Sequence, residues 1–148
     1  MTTTPRIKPK TYGPLRLDAP SADQLHLRSE AGFEFTGART PGMHGLSPSD
    51  LLLASLATCV GISMRMAAEA MGLTLGALQL SATATKALDA PNRFERLDLR
   101  IHSAFTIDAA RSDELLKRTK ALCTVSNTLG AEVGMVLVDE PLAEIERP

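Results

Sequence analysis

The run SPSDLLLASLATCVGISMRMAAEAMG, Ser47–Gly72, decides how the rest of the chain is read. Its start carries three helix signals in succession. Ser47 can cap, Pro48 suits the first helical position, where its missing N–H has no partner to lose, and Asp50 completes an S-x-x-D capping box. Gly72 suits a left-handed stop. Between these limits the segment is apolar on nearly all sides until Arg65 and Glu69, so its first four turns are expected to be buried all round. One small sheet cannot cover such a helix, which points to a wrapped fold or a partner subunit. The same run places Cys59 in the middle of its most apolar part.

Upstream, residues 1–14 hold two prolines before Tyr12 and read as a loose lead-in. Three short alternating segments follow: PLRLD with Leu15 and Leu17, QLHLRS with Leu25 and Leu27, and GFEFTG with Phe33 and Phe35. DAPSAD and SEAG separate them with turn residues, which predicts a three-stranded antiparallel meander. GARTPGMHG, residues 37–45, is then an irregular loop leading into the helix.

Downstream, LQLSATATK (78–86) and LDLRIHSAFTI (97–107) alternate around the turn DAPNR, a long hairpin with Leu97, Leu99, Ile101, Phe105 and Ile107 on one face. Asp108 can cap a second helix from Ala109 to about Leu122. Its Asp113–Lys117 and Glu114–Arg118 pairs stand in the favourable i,i+4 order, and Lys117, Arg118 and Lys120 read as a solvated face. EVGMVLVDE closes with a strand. The order βββ–α–ββ–α–β is that of an α+β domain in which antiparallel strands wrap a buried helix.

With 148 residues the chain is expected to form one domain, long enough to bury a core without staples. Aromatics make up only 3%, so the core must come from Leu, Ala, Val, Ile and Met. Net charge is −1 and no basic stripe with interleaved aromatics appears, which speaks against nucleic-acid binding. The uncharged run Leu51–Met64 is shorter than the ~18 residues of a membrane span, so no membrane partner is expected. The N-terminal residues lack the apolar segment of a secretory signal, making the cytoplasm the default compartment. His26, His44 and His102 are dispersed and no C-x-x-C occurs, so no metal and no bound cofactor is expected.

Chemistry then rests on sulfur. The thiolate is the reactive form of cysteine, and Cys59 lies about three turns inside its helix, too far from the N-terminus for the dipole to favour it. Burial would raise its pKa further. Cys59 is therefore either a packing residue or a nucleophile to which a positive group has been brought. Cys123 precedes TVSNTL, a segment able to begin a new helical turn, which would set its sulfur at a helix N-terminus; a partly buried junction residue is the other reading. Arg39, in the Gly/Pro-rich loop, is a surface charge or the cation that offsets the burial of Cys59. A unit charge at ~4 Å and an effective dielectric of ~20 is worth ~4 kcal/mol, enough for that role. His44 in the same loop reads as a solvated residue.

SPSDLLLASLATC followed by LCTVSNTL resembles the OsmC/Ohr family, the osmotically inducible protein C and organic hydroperoxide resistance proteins, in its OsmC-like branch. The resemblance runs from the meander to the final strand. It implies the OsmC-like fold, antiparallel sheets around a long buried central helix, in an intertwined homodimer. It implies that Cys59 is the peroxidatic cysteine, that Cys123 resolves its sulfenic acid into a disulfide, and that Arg39 stabilises the thiolate. It further implies an organic hydroperoxide as substrate and a small external dithiol, of the lipoyl type, as reductant. Leu52, Leu56 and Met66 would favour an alkyl or lipid peroxide.

The chain departs from the family pattern at two positions. Ser49 stands where the peroxidase branch has the glutamate that pairs with the arginine, and Thr124 stands where proline is frequent. Asp50, the nearest acid, is ~13.5 Å along the helix from Cys59 and reads as a cap. Loss of the glutamate motivates an alternative, a non-catalytic stress or ligand-binding protein of the same fold, in which Cys59 titrates near its ordinary value. A general thiol–disulfide exchanger would usually need the missing C-x-x-C.

Overall fold

Alternating residues build the N-terminal part of the chain, strands β1 (Arg16–Ser21), β2 (Gln24–Arg28) and β3 (Glu34–Gly37), joined as the expected antiparallel meander. The computed structural model describes residues 10–104 and 107–145, so most of the expected lead-in and Phe105 lie outside the described residues. The chain falls into two compact units, Met1–Pro48 and Ser49–Pro148.

In the first unit, Leu17, Leu27 and Phe35 stand opposite one another across the three strands and form its apolar row. Two expectations need correction. DAPS is strand rather than turn: β1 continues through a register irregularity between Asp18 and Ser21, leaving only Ala22 and Asp23 to reverse the chain. Leu15 and Phe33 precede their strands and are exposed, because alternation marks the phase of a strand but not where its ladder begins. Residues 38–45 form the expected loop, and its ends are tied together. The Leu46 N–H donates to the Thr36 carbonyl and the Ala38 N–H to the Leu46 carbonyl, each at 2.9 Å.

The second unit is organised by helix α1, Pro48–Ala70. It stops where expected. Gly72 takes φ 69°, its N–H reaches the Glu69 carbonyl at 3.0 Å, and the Leu73 N–H reaches Ala68 at 2.8 Å, the paired bonds of a Schellman stop. Strands β4 (Leu78–Lys86), β5 (Phe94–Ser103) and β6 (Glu132–Val138) form one sheet in that order. Helix α2 (Ala109–Leu122) and a short α3 (Thr124–Thr128) connect β5 to β6. The Asp108 carboxylate caps α2 by accepting the Arg111 N–H at 3.0 Å, and Arg118 pairs with Glu114 at 2.6 Å.

β6 runs parallel to β5, so this sheet is mixed rather than antiparallel. The physical reason is the connection: a helical crossover returns the chain to the end from which β5 started, as parallel pairing requires. β5 also begins and ends earlier than the alternation predicts, leaving Ile107 beyond it.

The core gathers Leu56, Val60, Met64, Ala67 and Ala68 of α1 with Leu97, Leu99 and Ile101 of β5, Leu115 of α2, Cys123 and Val133. α1 is therefore buried along one stripe and not all round. Ala54, Ser55, Thr58, Ile62 and Met66 are exposed, since one three-stranded sheet and one helix cover only half a cylinder. By length and composition alone α1 is also apolar enough to cross a membrane, with mean hydropathy 1.7 over its most apolar window. The fourteen uncharged residues counted in the sequence understated it. A third of that window, 33%, is buried within this chain.

Candidate active site

Cys123 is set by the break between two helices. The last turn of α2 ends as the Cys123 N–H donates to the Thr119 carbonyl at 3.0 Å. Its backbone then turns extended, φ −77° and ψ 101°, and the same residue caps α3. The Cys123 sulfur accepts the Ser126 N–H at 3.5 Å, while the Asn127 side chain donates from Nδ2 back to the Ala121 carbonyl at 3.0 Å and clamps the junction. Thr124 opens α3. Cys123 is fully buried, 0% exposed.

Cys59 faces this junction from α1. It is partly exposed, packs against the edge of the core, and shares a hydrogen bond with the Cys123 thiol. Burial is the largest influence on it and pushes its pKa up. The Val125 N–H, the Cys123 thiol, the Ser63 hydroxyl and the Thr124 N–H outweigh burial, and the net effect holds Cys59 below the ordinary thiol range. The expectation that burial would prevail without an added cation is therefore corrected. Neutral donors do it, two of them amides at the start of α3. Cys123 moves the other way: burial raises it and so does the neighbouring Cys59, against the Ser126 and Val125 amides.

The N-terminus of α1 is too far from Cys59 to help it, as expected. The amides near its sulfur belong instead to the five-residue α3, reached only through the tertiary fold.

Arg39 lies in the first unit, in the tied loop, where its Nε pairs with Asp23 Oδ1 at 2.9 Å. Both side chains are exposed, so the pair contributes at most about 1 kcal/mol. Gly45 permits this loop. It has φ 117°, and a Cβ there would stand 2.6 Å from the Thr36 carbonyl oxygen. His44 is exposed, in line with a solvated residue. Asp50 and Ser49 sit in the first turn of α1.

The structure thus brings Cys59 and Cys123 together and gives Arg39 an acidic partner, Asp23, that sequence reasoning passed over. Nothing in the sequence marked Asp23, because the pairing joins a turn to a loop. Ser63 was also passed over, although its spacing of one helical turn after Cys59 was there to be seen. Leu56 is fully buried and belongs to the core, so it is not free to receive a substrate. Arg65 bridges to the Leu75 and Gly76 carbonyls and holds the link between α1 and β4. An open groove of about 390 Å³ along α1, lined by Thr58, Gly61, Ile62, Arg65, Leu78 and Leu80, includes neither cysteine.

Such a pair can pass sulfur through its oxidation states without a metal. One thiol is partly open and disposed to ionise; the other is dry, adjacent and disposed to keep its proton.

A search of curated proteins returned no match. Solved structures share the fold at low identity. An OsmC-like protein from Mycoplasma pneumoniae is 22% identical, with TM-score 0.71 over 87% of this chain and 98% of its own. The organic hydroperoxide resistance protein OhrB of Bacillus subtilis is 18% identical, with TM-score 0.65 over 84% and 98%. An organic hydroperoxide resistance protein OsmC from Legionella pneumophila is 16% identical, with TM-score 0.69 over 88% and 97%. The family described as OsmC-like protein matches residues 40–137. With that match over most of its length and the fold to go with it, the chain belongs to the OsmC-like family.

Proposed function

We propose that this protein is a thiol-dependent peroxidase that reduces organic hydroperoxides to alcohols. The observation that carries it is the contact of a partly exposed cysteine, held below the ordinary thiol range, with a second, fully buried one. Cys59 thiolate attacks the distal peroxide oxygen; an S–O bond forms, the O–O bond breaks, and the leaving alkoxide takes a proton to become the alcohol. Cys59 is then a sulfenic acid. The Cys123 sulfur attacks it, the S–O bond breaks, water leaves, and a disulfide joins the pair. A small external dithiol, of the lipoyl type, returns both thiols and becomes the disulfide itself. No bound cofactor enters these steps.

The resemblance adds Arg39 as the residue that supports the thiolate, and family membership is the support for that role. It also adds a homodimer. The exposed Ile62 and Met66 of α1, and separately the apolar row Leu17, Leu27 and Phe35, are surfaces that a second copy would cover. We take the cytoplasm as the compartment, where thiols are kept reduced.

The test feeds purified protein cumene hydroperoxide with dihydrolipoamide. Consumption that disappears in Cys59→Ser supports the proposal; unchanged peroxide, or consumption that survives this substitution, removes it. The alternative, a non-catalytic protein of the same fold, predicts a Cys59 that titrates near its ordinary value; the donors around Cys59 point the other way, and a thiol titration decides between the two.

A further inference from the structure

Helix α2 ends at Leu122 and α3 begins at Thr124, so a single residue, Cys123, separates them. No glycine or proline stands between Thr119 and Leu129 to enforce that break. At Cys123 the backbone leaves helical values through ψ, which is 101°. Some bonds around the break would be the same in an unbroken helix. The Cys123 N–H to Thr119 and the Asn127 N–H to Cys123, each at 3.0 Å, both keep the i−4 spacing. Two others would not. The Ser126 N–H meets the Cys123 sulfur at 3.5 Å, a weak acceptor in place of a carbonyl one turn back. Asn127 Nδ2 donates to the Ala121 carbonyl at 3.0 Å, across six positions. In a continuous helix such positions stand ~9 Å apart along the axis and on different faces, beyond the reach of an asparagine side chain. The Asn127 bond therefore belongs to the broken backbone alone. What the break carries is Cys123, 0% exposed, in the core on whose edge Cys59 packs.

We propose that Asn127 is a positioning residue for Cys123: its side-chain amide, bonded to Ala121, holds the break that sets the Cys123 sulfur beside Cys59. Its bearing on peroxide turnover rests on the function proposed above. Its effect on the thiol pair does not, because a sulfur held in place meets its neighbour at a raised effective concentration whatever the oxidant.

The experiment equilibrates the full chain with glutathione and glutathione disulfide at a series of ratios, quenches in acid, and reads the disulfide by mass spectrometry. Two protein thiols become one disulfide as one glutathione disulfide becomes two glutathiones, so the midpoint gives the effective concentration of the pair. The parent is compared with Asn127→Ala and Thr128→Val. Asn127 is exposed, so its truncation opens no cavity and the variant folds. Thr128 gives its hydroxyl to the Thr124 carbonyl at 2.7 Å, a bond within α3 that does not cross the break. In Asn127→Ala the effective concentration falls about two- to tenfold, what one hydrogen bond is worth. In Thr128→Val it stays at the parent's value. An unmoved midpoint in Asn127→Ala overturns the proposal, and a lower urea midpoint beside it would make Asn127 a cap for stability only. An equal fall in Thr128→Val overturns it too, by tracing the effect to α3 as a whole. Both of these outcomes leave the peroxidase reading untouched. A parent that forms no Cys59–Cys123 disulfide at any ratio removes the resolving step and this proposal together.

Discussion

Cys59 and Cys123 share a hydrogen bond but not an environment: the first is partly open to solvent and the second is sealed in the core. The asymmetry orders their chemistry. Burial alone would raise both pKa values, yet α3's first amides, Cys123 and Ser63 reverse the effect at Cys59 and leave it standing at Cys123. Reactivity follows the thiolate fraction, so it grows as pH rises through the folded-state pKa. Cys59, whose pKa is lowered, must reach its plateau at lower pH than a free cysteine, and Cys123 at higher pH.

The first prediction follows from this order. In a pH series of brief alkylations, Cys59 is modified first at every pH and Cys123 remains largely unmodified until the protein unfolds. Peptide mapping reads both sites in one sample. Early modification of Cys123 would show that the junction opens freely and that its burial does not protect it.

A second prediction concerns how the disulfide is reduced. The two sulfurs compete as targets on different grounds. Leaving-group ability favours attack on Cys123, since the lower-pKa Cys59 leaves faster. Access favours Cys59, because a thiol must approach the sulfur it attacks along the S–S axis and Cys123 has no exposed surface. Access should win, for a preference from leaving-group pKa is graded whereas a closed core excludes the attacker. Peroxide-oxidised protein treated with a monothiol and quenched with an alkylating agent in denaturant, which opens the core to the reagent, should carry the mixed disulfide on Cys59 and the alkyl group on Cys123. The reverse labelling defeats this order of events without touching the peroxidase step.

Local signals and tertiary ones divide what the sequence disclosed. Pro48, Gly72 and Asp108 marked helix ends because capping depends on a few adjacent residues, and the structure places those ends where expected. The span Leu78–Lys86 was legible for the same reason, being an unbroken alternation. The parallel placement of β6 was not, since it depends on a crossover rather than on β6 itself. What covers the outer face of α1 was not legible, because apolarity tells how much must be covered and not by what. At the site, Cys59 and Cys123 came from motif order, while their donors did not: the Val125 and Thr124 amides are far from Cys59 in the chain, and an amide carries no sequence signature.

The core makes a third prediction about stability. Leu99 is 1% exposed at the centre of β5, opposite Ala82 of β4 and Met135 of β6. Ala82 is too short to reach into the hole left by Leu99→Ala and Met135 can fill it only from one side, so the site relaxes only in part. A loss of about 2–5 kcal/mol is expected. Urea denaturation followed by circular dichroism measures it. A midpoint within error of the parent would mean that β5 does not anchor this core.

The loop that carries Arg39 depends on one glycine. Gly45 combines φ 117° with backbone on its Cβ side, the Thr36 oxygen at 2.6 Å and Gly37 atoms at 3.0 Å. Gly45→Ala therefore meets both a conformational penalty and a clash that only backbone movement can relieve. The bond from the Leu46 N–H to the Thr36 carbonyl, at 2.9 Å, lies next to the displaced atoms and should weaken with them. The expected outcome is local: residues 38–45 become sensitive to limited proteolysis, while the second unit keeps its denaturation midpoint. If Arg39 supports the thiolate as proposed, peroxide turnover falls in Gly45→Ala by about as much as in Arg39→Ala, and the double variant loses little more than either. Additive losses would separate the loop's shape from the arginine's role, and full activity in Gly45→Ala would show that the tied loop is not needed to present Arg39.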